Sequence, residues 1–109
     1  MFHELRIYHC QPGKLNAELA RLEEAARIFF PRLGIKAIGY WSVMVGDNNH
    51  DLYYILEWQS LEERNEKWAA FASDPEWIRV RDLSEANGTL LTSITNLLLK
   101  PLDFTQGQP

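Results

Sequence analysis

The stretch that decides the fold is Glu4-Leu5-Arg6-Ile7-Tyr8, which opens the chain and is followed closely by Pro12-Gly13-Lys14. Successive side chains alternate across a strand, so the two apolar residues share one face and the charged and aromatic residues share the other. The apolar pair is expected to lie under helices. The row of Glu4, Arg6 and Tyr8 would then lie on the open face, towards water, a partner subunit or a ligand.

The rest of the chain predicts two helical regions and three further strands. An apolar stripe at helical spacing indicates a helix from Lys14 to about Pro31, with Glu18, Arg21, Glu24 and Arg27 pointing away from it. The stripe consists of Leu15, Leu19, Leu22, Ala26 and Phe29. The remaining predicted elements are a strand over 35–45, a turn over 46–49, a strand over 52–58, a helix capped by Ser60, a short helix capped by Asp74 and a strand over 89–99.

This order of elements, β-α-β-β-α-(α)-β, predicts a ferredoxin-like α+β fold. Four strands form an antiparallel sheet, and the helices cover one of its faces. We interpret residues 2–101 as a single domain and residues 102–109 as a polar tail.

Composition excludes several classes of function. The net charge is −4 and the 11 basic residues are scattered along the 109-residue chain, which argues against binding nucleic acid or an anionic membrane. No apolar run reaches the roughly 20 residues that span a bilayer, and the cytoplasm is the expected location. Cys10 is the only cysteine and is interpreted as a packing residue. The spacing of the three histidines predicts no metal site, and no cofactor motif is present.

The uncovered face of the sheet predicts a homodimer. Two helices can cover only one face of four strands, and either assignment of the strand faces leaves aromatic or aliphatic side chains on the uncovered face. Pairing with a second copy around a two-fold axis, with about 800 Å² buried per subunit, would cover them.

Five short motifs, taken in order, resemble the NIPSNAP family. They are Glu4-Leu5-Arg6-x-Tyr8, Pro12-Gly13-Lys14-Leu15, Gly39-Tyr40-Trp41, Ser60-Leu61-x-x-Arg64 and Asp74-Pro75-Glu76-Trp77. The resemblance covers nearly all of the chain from Phe2 to Pro101. It implies a dimeric α+β barrel, in which two ferredoxin-like subunits pair sheet to sheet. It implies no settled enzymatic activity.

The candidates for lining a cleft in that barrel are Glu4, Arg6, Tyr8, Tyr40, Tyr54 and Trp58. A guanidinium in an apolar cleft holds an anionic or carbonyl oxygen, and a tyrosine hydroxyl beside it donates a hydrogen bond. A structural alternative stays open, in which Arg6 pairs with a carboxylate at the dimer seam while Tyr8 packs.

Three functions are consistent with these residues. The first is a homodimer that binds a small apolar or carboxylated molecule in each cleft. The second is a small enzyme, such as a cofactor-independent monooxygenase, an isomerase or a haem-handling protein, which rests on fold analogy alone. The third is an interaction module that acts through its outer surface. A polar-lined cavity around Arg6 and Tyr8 would favour the first two.

Overall fold

Four antiparallel strands form one sheet in the computed structural model, which describes residues 1–104. The strands are β1 (Phe2–Cys10), β2 (Lys36–Ser42), β3 (Asp51–Trp58) and β4 (Leu91–Leu99). Their order across the sheet is β2-β3-β1-β4, and every neighbouring pair is antiparallel. The predicted ferredoxin-like arrangement is therefore confirmed.

The helices cover one face of this sheet. They are α1 (Leu15–Glu24), a π-helical turn (Ala25–Phe29), α2 (Phe30–Leu33), α3 (Leu61–Ser73) and α4 (Pro75–Ser84). On β3 the alternation of burial shows which face is covered. Leu52, Tyr54 and Leu56 are at most 1% exposed, whereas Tyr53 and Ile55 between them are only partly buried. The core therefore lies between the even-numbered side chains of β3 and the helices.

Side-chain caps start the two later helices where the sequence predicts them. Ser60 Oγ accepts a hydrogen bond from the Glu63 amide at 3.0 Å, and Asp74 Oδ1 accepts one from the Glu76 amide at 2.9 Å. The Glu63 carboxylate differs from the predicted capping box, because it accepts from the Gln59 amide at 2.8 Å. It thus satisfies the donor one residue before the cap.

The first helical region departs from the predicted continuous helix. Residues 25–29 form a π-helical turn, which takes more residues per turn than an α-helix and rotates the residues after it. As a result, consecutive Phe29 and Phe30 are both only 2% exposed. Leu19 of the predicted stripe is instead 46% exposed. The predicted stripe therefore already fails at Leu19 in α1, and the π-helical turn shifts the residues that follow it.

No helix within residues 1–104 is long and apolar enough to cross a membrane. Residues 105–109 of the predicted polar tail lie outside the described residues. The division into a domain and a tail, and the cytoplasmic location, stay predictions.

Candidate functional site

The charged and aromatic row of β1 lies under the helices, so the predicted open-face location of Glu4, Arg6 and Tyr8 is wrong. Glu4 is 0% exposed, and the Arg6 guanidinium carbon lies 4.6 Å from the centre of the Trp68 ring on α3. The predicted alternation is correct, but the two faces are exchanged. Leu5, on the other face, borders the open side of the sheet.

Glu4 can be buried because its carboxylate is fully hydrogen-bonded. Each of its two oxygens accepts three hydrogen bonds. The donors lie on β1 itself and on β3, β4 and α3. The donors are Trp58 Nε1 at 3.0 Å, Arg64 Nε at 2.8 Å and Trp68 Nε1 at 3.3 Å on Oε1, and Arg6 Nη1 at 3.0 Å, Arg64 Nη2 at 3.1 Å and Asn96 Nδ2 at 3.2 Å on Oε2. Five of these six bonds tie β1 to β3, β4 and α3, and all six offset the desolvation of the charge.

The environment of Glu4 keeps it ionised. Burial alone would raise the pKa of this carboxyl, but the hydrogen bonds from Arg64, Asn96 and Trp58 outweigh burial and lower the pKa to about 2. Arg6 and Arg64 share this one carboxylate, so the cluster keeps one positive charge in excess. The motif that contains Glu4 and the motif that contains Arg64 are therefore in contact, although 60 positions separate these two residues.

The low pKa of Glu4 predicts an acid-sensitive fold. Its folded-state pKa of about 2 lies below the ordinary 4.5, so its stabilisation is fully present above pH 4.5 and is lost as the pH falls through about 2. We expect wild-type protein to lose about 3 kcal/mol of unfolding free energy over that range relative to Glu4→Gln. Urea unfolding of both proteins between pH 2 and 7 measures this difference. Parallel pH curves would contradict it.

A hydrogen-bonded chain fixes Arg6 and Tyr8. Arg6 Nε donates to Tyr54 Oη at 2.8 Å, and the Tyr54 and Tyr8 hydroxyls are 2.7 Å apart. Tyr54 is 0% exposed and has no further hydrogen-bond acceptor within residues 1–104. Its hydroxyl must donate to Tyr8, because the opposite direction would leave a buried donor unpaired. The hydroxyl hydrogen of Tyr8 is then not used in a hydrogen bond within residues 1–104.

A second buried ion pair lies on α1, where the sequence analysis expected solvent. Glu18 is 1% exposed and Arg21 is 8% exposed, and Glu18 Oε1 accepts from both Nε and Nη2 of Arg21. Arg21 Nη1 also donates to Ser84 Oγ at 3.1 Å and to Glu85 Oε2 at 3.0 Å. The predicted outward orientation of Glu18 and Arg21 is therefore wrong. Their pairing, together with the contacts to the end of α4, makes burial of both charges tolerable.

Burial raises the pKa of the Glu18 carboxyl even though Arg21 beside it acts in the opposite direction. The Glu18 charge also acts on Cys10 at the end of β1, where burial and this charge raise the pKa of the thiol to about 11. Cys10 is buried, in agreement with the predicted packing role. Glu18 therefore lies near the end of β1 on which Tyr8 stands.

A cavity of about 180 Å³ separates the two ion-pair clusters, between the sheet and the helices. Arg6 and Tyr8 form its floor on β1, and aromatic side chains that include Trp68 and Trp77 form its walls. Its charged lining consists of Arg6, Arg21, Arg81, Glu18 and Glu85. The surplus positive charge lies at the Arg6 end, where Arg6 and Arg64 share the one carboxylate of Glu4. The cavity is smaller than a typical site for a drug-sized ligand. Its size, and the positive charge at the Arg6 end, suit a small molecule with one carboxylate.

The six predicted site residues all lie on the helix-covered face, but in three different places. Arg6 and Tyr8 line the cavity, whereas Tyr54 and Trp58 are buried behind it with Glu4. Tyr40 stacks on Tyr54 with ring centres 5.6 Å apart and borders a separate groove beside α1. Burial, reinforced by Tyr8, raises the pKa of Tyr40 to about 12.

The positions of Glu18 and Arg21 in the cavity lining were not predicted from the sequence. Opposite charges three residues apart on a helix were the available signal, but the same spacing is common on solvated helix faces. Trp68 and Trp77 have two roles, in the core and at the cavity. Both pack on Phe71, with Trp77 at 4.5 Å between ring centres, and both also border the cavity.

The open face of the sheet has an apolar centre and polar ends. Leu5, Ile55 and Leu97 lie side by side across three strands in its centre. At one end His9 contacts Asp51 at 2.9 Å and Thr95 at 2.7 Å, and at the other end Glu57 contacts Lys36 and His3. Within residues 1–104, no group of three or more His, Cys, Asp or Glu residues is arranged to hold a metal ion.

Comparisons with known proteins agree on one family. A family model described as NIPSNAP matches residues 3–106. The chain is 31% identical over 77 residues to Protein NipSnap homolog 3A of Homo sapiens, a match that covers 71% of this chain and 30% of that protein. The chain therefore spans about a third of the length of the curated relatives that it matches.

Solved structures extend the likeness to the whole fold. A NIPSNAP family protein of Agrobacterium tumefaciens has a TM-score of 0.82 and 29% identity, with 98% of each chain covered. An antibiotic biosynthesis monooxygenase has a TM-score of 0.60 at 14% identity, with 94% of this chain and 99% of that chain covered, which is a likeness of fold alone.

Proposed function

Because the chain belongs to the NIPSNAP family, as its motifs predict, and this membership does not define its chemistry, we propose a function from the geometry of the cleft. The protein is a homodimer, and each subunit binds a small carboxylated molecule between its sheet and its helices. The observation that carries the proposal is the cavity around Arg6 and Tyr8. The binding site is on the opposite face of the sheet from the barrel interior that the sequence analysis favoured.

Arg6 is held ready to bind a carboxylate. Glu4 and Tyr54 fix its Nη1 and Nε, while Nη2 makes no hydrogen bond within residues 1–104. Burial would lower the pKa of Arg6, but Tyr54, Tyr8 and Glu4 raise it, so the guanidinium is charged at every physiological pH. A planar guanidinium with free N–H groups in a partly enclosed cavity binds a carboxylate more strongly than one in solvent does.

The aromatic side chains that line the cavity determine which kind of group the ligand carries beside its carboxylate. Trp68 and Trp77 border the cavity beside Phe30 and Phe71, and their ring faces favour an apolar or aromatic group. The side chains do not fill the space between sheet and helices, as they would in a domain that acts only through its outer surface. The cavity thus favours ligand binding over the interaction-module alternative.

The homodimer is supported by the composition of the open face. Its centre is apolar, and Trp41 and Leu97 there are 50% and 48% exposed. A hollow of about 840 Å³ lies between this face and the loop after β2, whose Met44 and Val45 are almost fully exposed. An apolar centre with a polar rim is the usual anatomy of a subunit interface, so we assign this hollow to a second copy of the chain.

Arg6→Lys tests the ligand site. The lysine keeps a positive charge beside Glu4, but it loses the planar fork that holds a carboxylate. We expect benzoate binding, measured by isothermal titration calorimetry, to weaken about tenfold or more, which corresponds to about 1.4 kcal/mol.

Arg79→Lys is the matched control, because Arg79 is exposed on α4. It should bind benzoate like the wild type. Equal weakening in both variants, or unchanged binding in Arg6→Lys, would place the carboxylate elsewhere. If neither benzoate nor hexanoate binds the wild type, the proposed function is wrong.

A further inference from the structure

We propose that the cleft transfers protons on small 2-oxo acids, with Glu18 as the base and Tyr8 as the hydrogen-bond donor to the carbonyl oxygen. The activity is proton exchange at the carbon next to the carbonyl group, through an enolate. This inference rests on the proposed function, because the same cavity must first hold the carboxylate. It goes beyond binding in assigning a reaction and its catalytic residues.

The hydrogen bonds of Glu18 leave one of its carboxylate oxygens available to act as a general base. Both bonds from Arg21 go to Oε1, and Oε2 accepts no side-chain hydrogen bond within residues 1–104. A carboxylate needed only to fasten α1 to α4 would gain by engaging both oxygens, as Glu4 does. Arg21 is here a positioning residue, because both of its hydrogen bonds to Glu18 go to Oε1.

The protonation of Glu18 suits this role. Burial raises its pKa above the ordinary 4.5 in spite of Arg21. A general base is most effective when its pKa approaches the operating pH, so this shift moves the carboxylate towards that optimum. The free oxygen and the cavity carry the inference, and the pKa direction is consistent with it.

Tyr8 supplies the other half of the reaction. Its oxygen accepts from Tyr54, which itself accepts from Arg6, so its own hydrogen is available to a ligand in the cavity. A preorganised donor of this kind stabilises the negative charge that develops on a carbonyl oxygen when a neighbouring carbon loses a proton. Arg6 on the same strand adds positive charge at that end of the cavity.

The reaction balances without a cofactor. Glu18 Oε2 takes a proton from C3 of the 2-oxo acid, and the C–H electron pair becomes a C2–C3 double bond. The carbonyl π pair moves to the oxygen, where Tyr8 donates its hydrogen bond. Return of a proton from Glu18 to C3 restores the keto form, and no electrons enter or leave.

The other ionisable groups around the cavity must be considered when the pH dependence of proton exchange is interpreted. The helix α3 contributes only aromatic side chains to the cavity, and β4 contributes only apolar ones. The other ionisable groups are Arg6 and Tyr8 of β1, Arg21 of α1, Arg81 of α4 and Glu85 after α4. Because Glu85 is a second carboxylate at the cavity, the pH profile of the wild type is compared with that of Glu18→Gln.

Deuterium exchange tests the reaction directly. Wild-type protein in D₂O should replace the methyl protons of pyruvate, and the benzylic protons of phenylpyruvate, about 100-fold faster than buffer alone, as measured by proton NMR. Glu18→Gln should return the rate to that of buffer, and Tyr8→Phe should lower it about tenfold. Glu23→Gln is the matched control, since Glu23 is exposed on the same helix and should leave exchange unchanged.

A purely structural role of Glu18 gives a different result. Because Arg21 keeps Ser84 and Glu85 as partners, Glu18→Gln should still unfold cooperatively, although at a lower temperature than the wild type, and should bind pyruvate at least as tightly, with only exchange lost. If the variant does not fold, the wild-type pH profile decides. Exchange must rise with pH through a midpoint above 4.5, and a flat profile would overturn the inference.

Binding without exchange separates this inference from the proposed function. If saturation-transfer NMR shows that pyruvate binds while neither 2-oxo acid exchanges in the wild type, Glu18 is not a base and the binding function stands. Undiminished exchange in Glu18→Gln overturns the inference as well. If no carboxylate binds at all, both the inference and the proposed function fail.

Discussion

Glu4→Gln is expected to lower the free energy of unfolding by about 3–5 kcal/mol at pH 7. The substitution preserves shape but removes the charge that Arg6 and Arg64 share, which leaves two guanidinium groups close together with no carboxylate between them. The NH₂ group of the new glutamine side chain would also face N–H donors that donate to a carboxylate oxygen in the wild type. Urea unfolding at one protein concentration measures the loss as a lower midpoint.

Glu57→Gln is the matched control on the neighbouring strand. Glu57 pairs with Lys36 at 3.1 Å, but the Lys36 side chain is 67% exposed, so the pair is largely screened. We expect its loss to cost less than about 1 kcal/mol. A similar cost for both substitutions would mean that the Glu4 carboxylate is no more important than a surface ion pair.

Ile55→Lys is expected to weaken the proposed homodimer by about 100-fold or more. Ile55 lies at the centre of the open face, between Leu5 on β1 and Gly39 on β2. The two-fold axis would bury two unpaired ammonium groups, and each costs more than the about 1.4 kcal/mol that corresponds to a tenfold change in affinity. Sedimentation equilibrium of the variant and the wild type measures the shift.

Leu83→Lys is the control for this experiment. Leu83 is 77% exposed on α4, on the helical side of the molecule, so a lysine there should leave the dimer intact. A monomeric wild type, or a dimer that survives Ile55→Lys, would show that the open face is covered in another way.

The element order was predictable because its signals are local. Ser60 and Asp74 cap the two later helices through hydrogen bonds to amides two or three residues away. The alternation along β1 was also predictable, since the pleat of a strand fixes it. The π-helical turn at residues 25–29 was not predicted, because its apolar residues also fit a regular helix. The strand predicted over 35–45 is also shorter in the structure, where β2 ends at Ser42.

The candidate site was predictable only in part. Arg6 and Tyr8 were identified from their residue types and do border the cavity. Their face was predicted wrongly, because the rule that apolar side chains face the core assumes that a buried charge lacks partners. The partners of Glu4 on α3 and β4 lie 60 and 92 positions away.

The sequence by itself determined which residues form strands and helices, their order and the family, since these depend on short-range patterns. The tertiary structure alone decided which face of β1 is buried and that Glu18 and Arg21 enter the core beside it. The physical reason is that the burial of a charge is cooperative. The carboxylate of Glu4 is stable inside the protein only when Arg6, Arg64 and Asn96 arrive together.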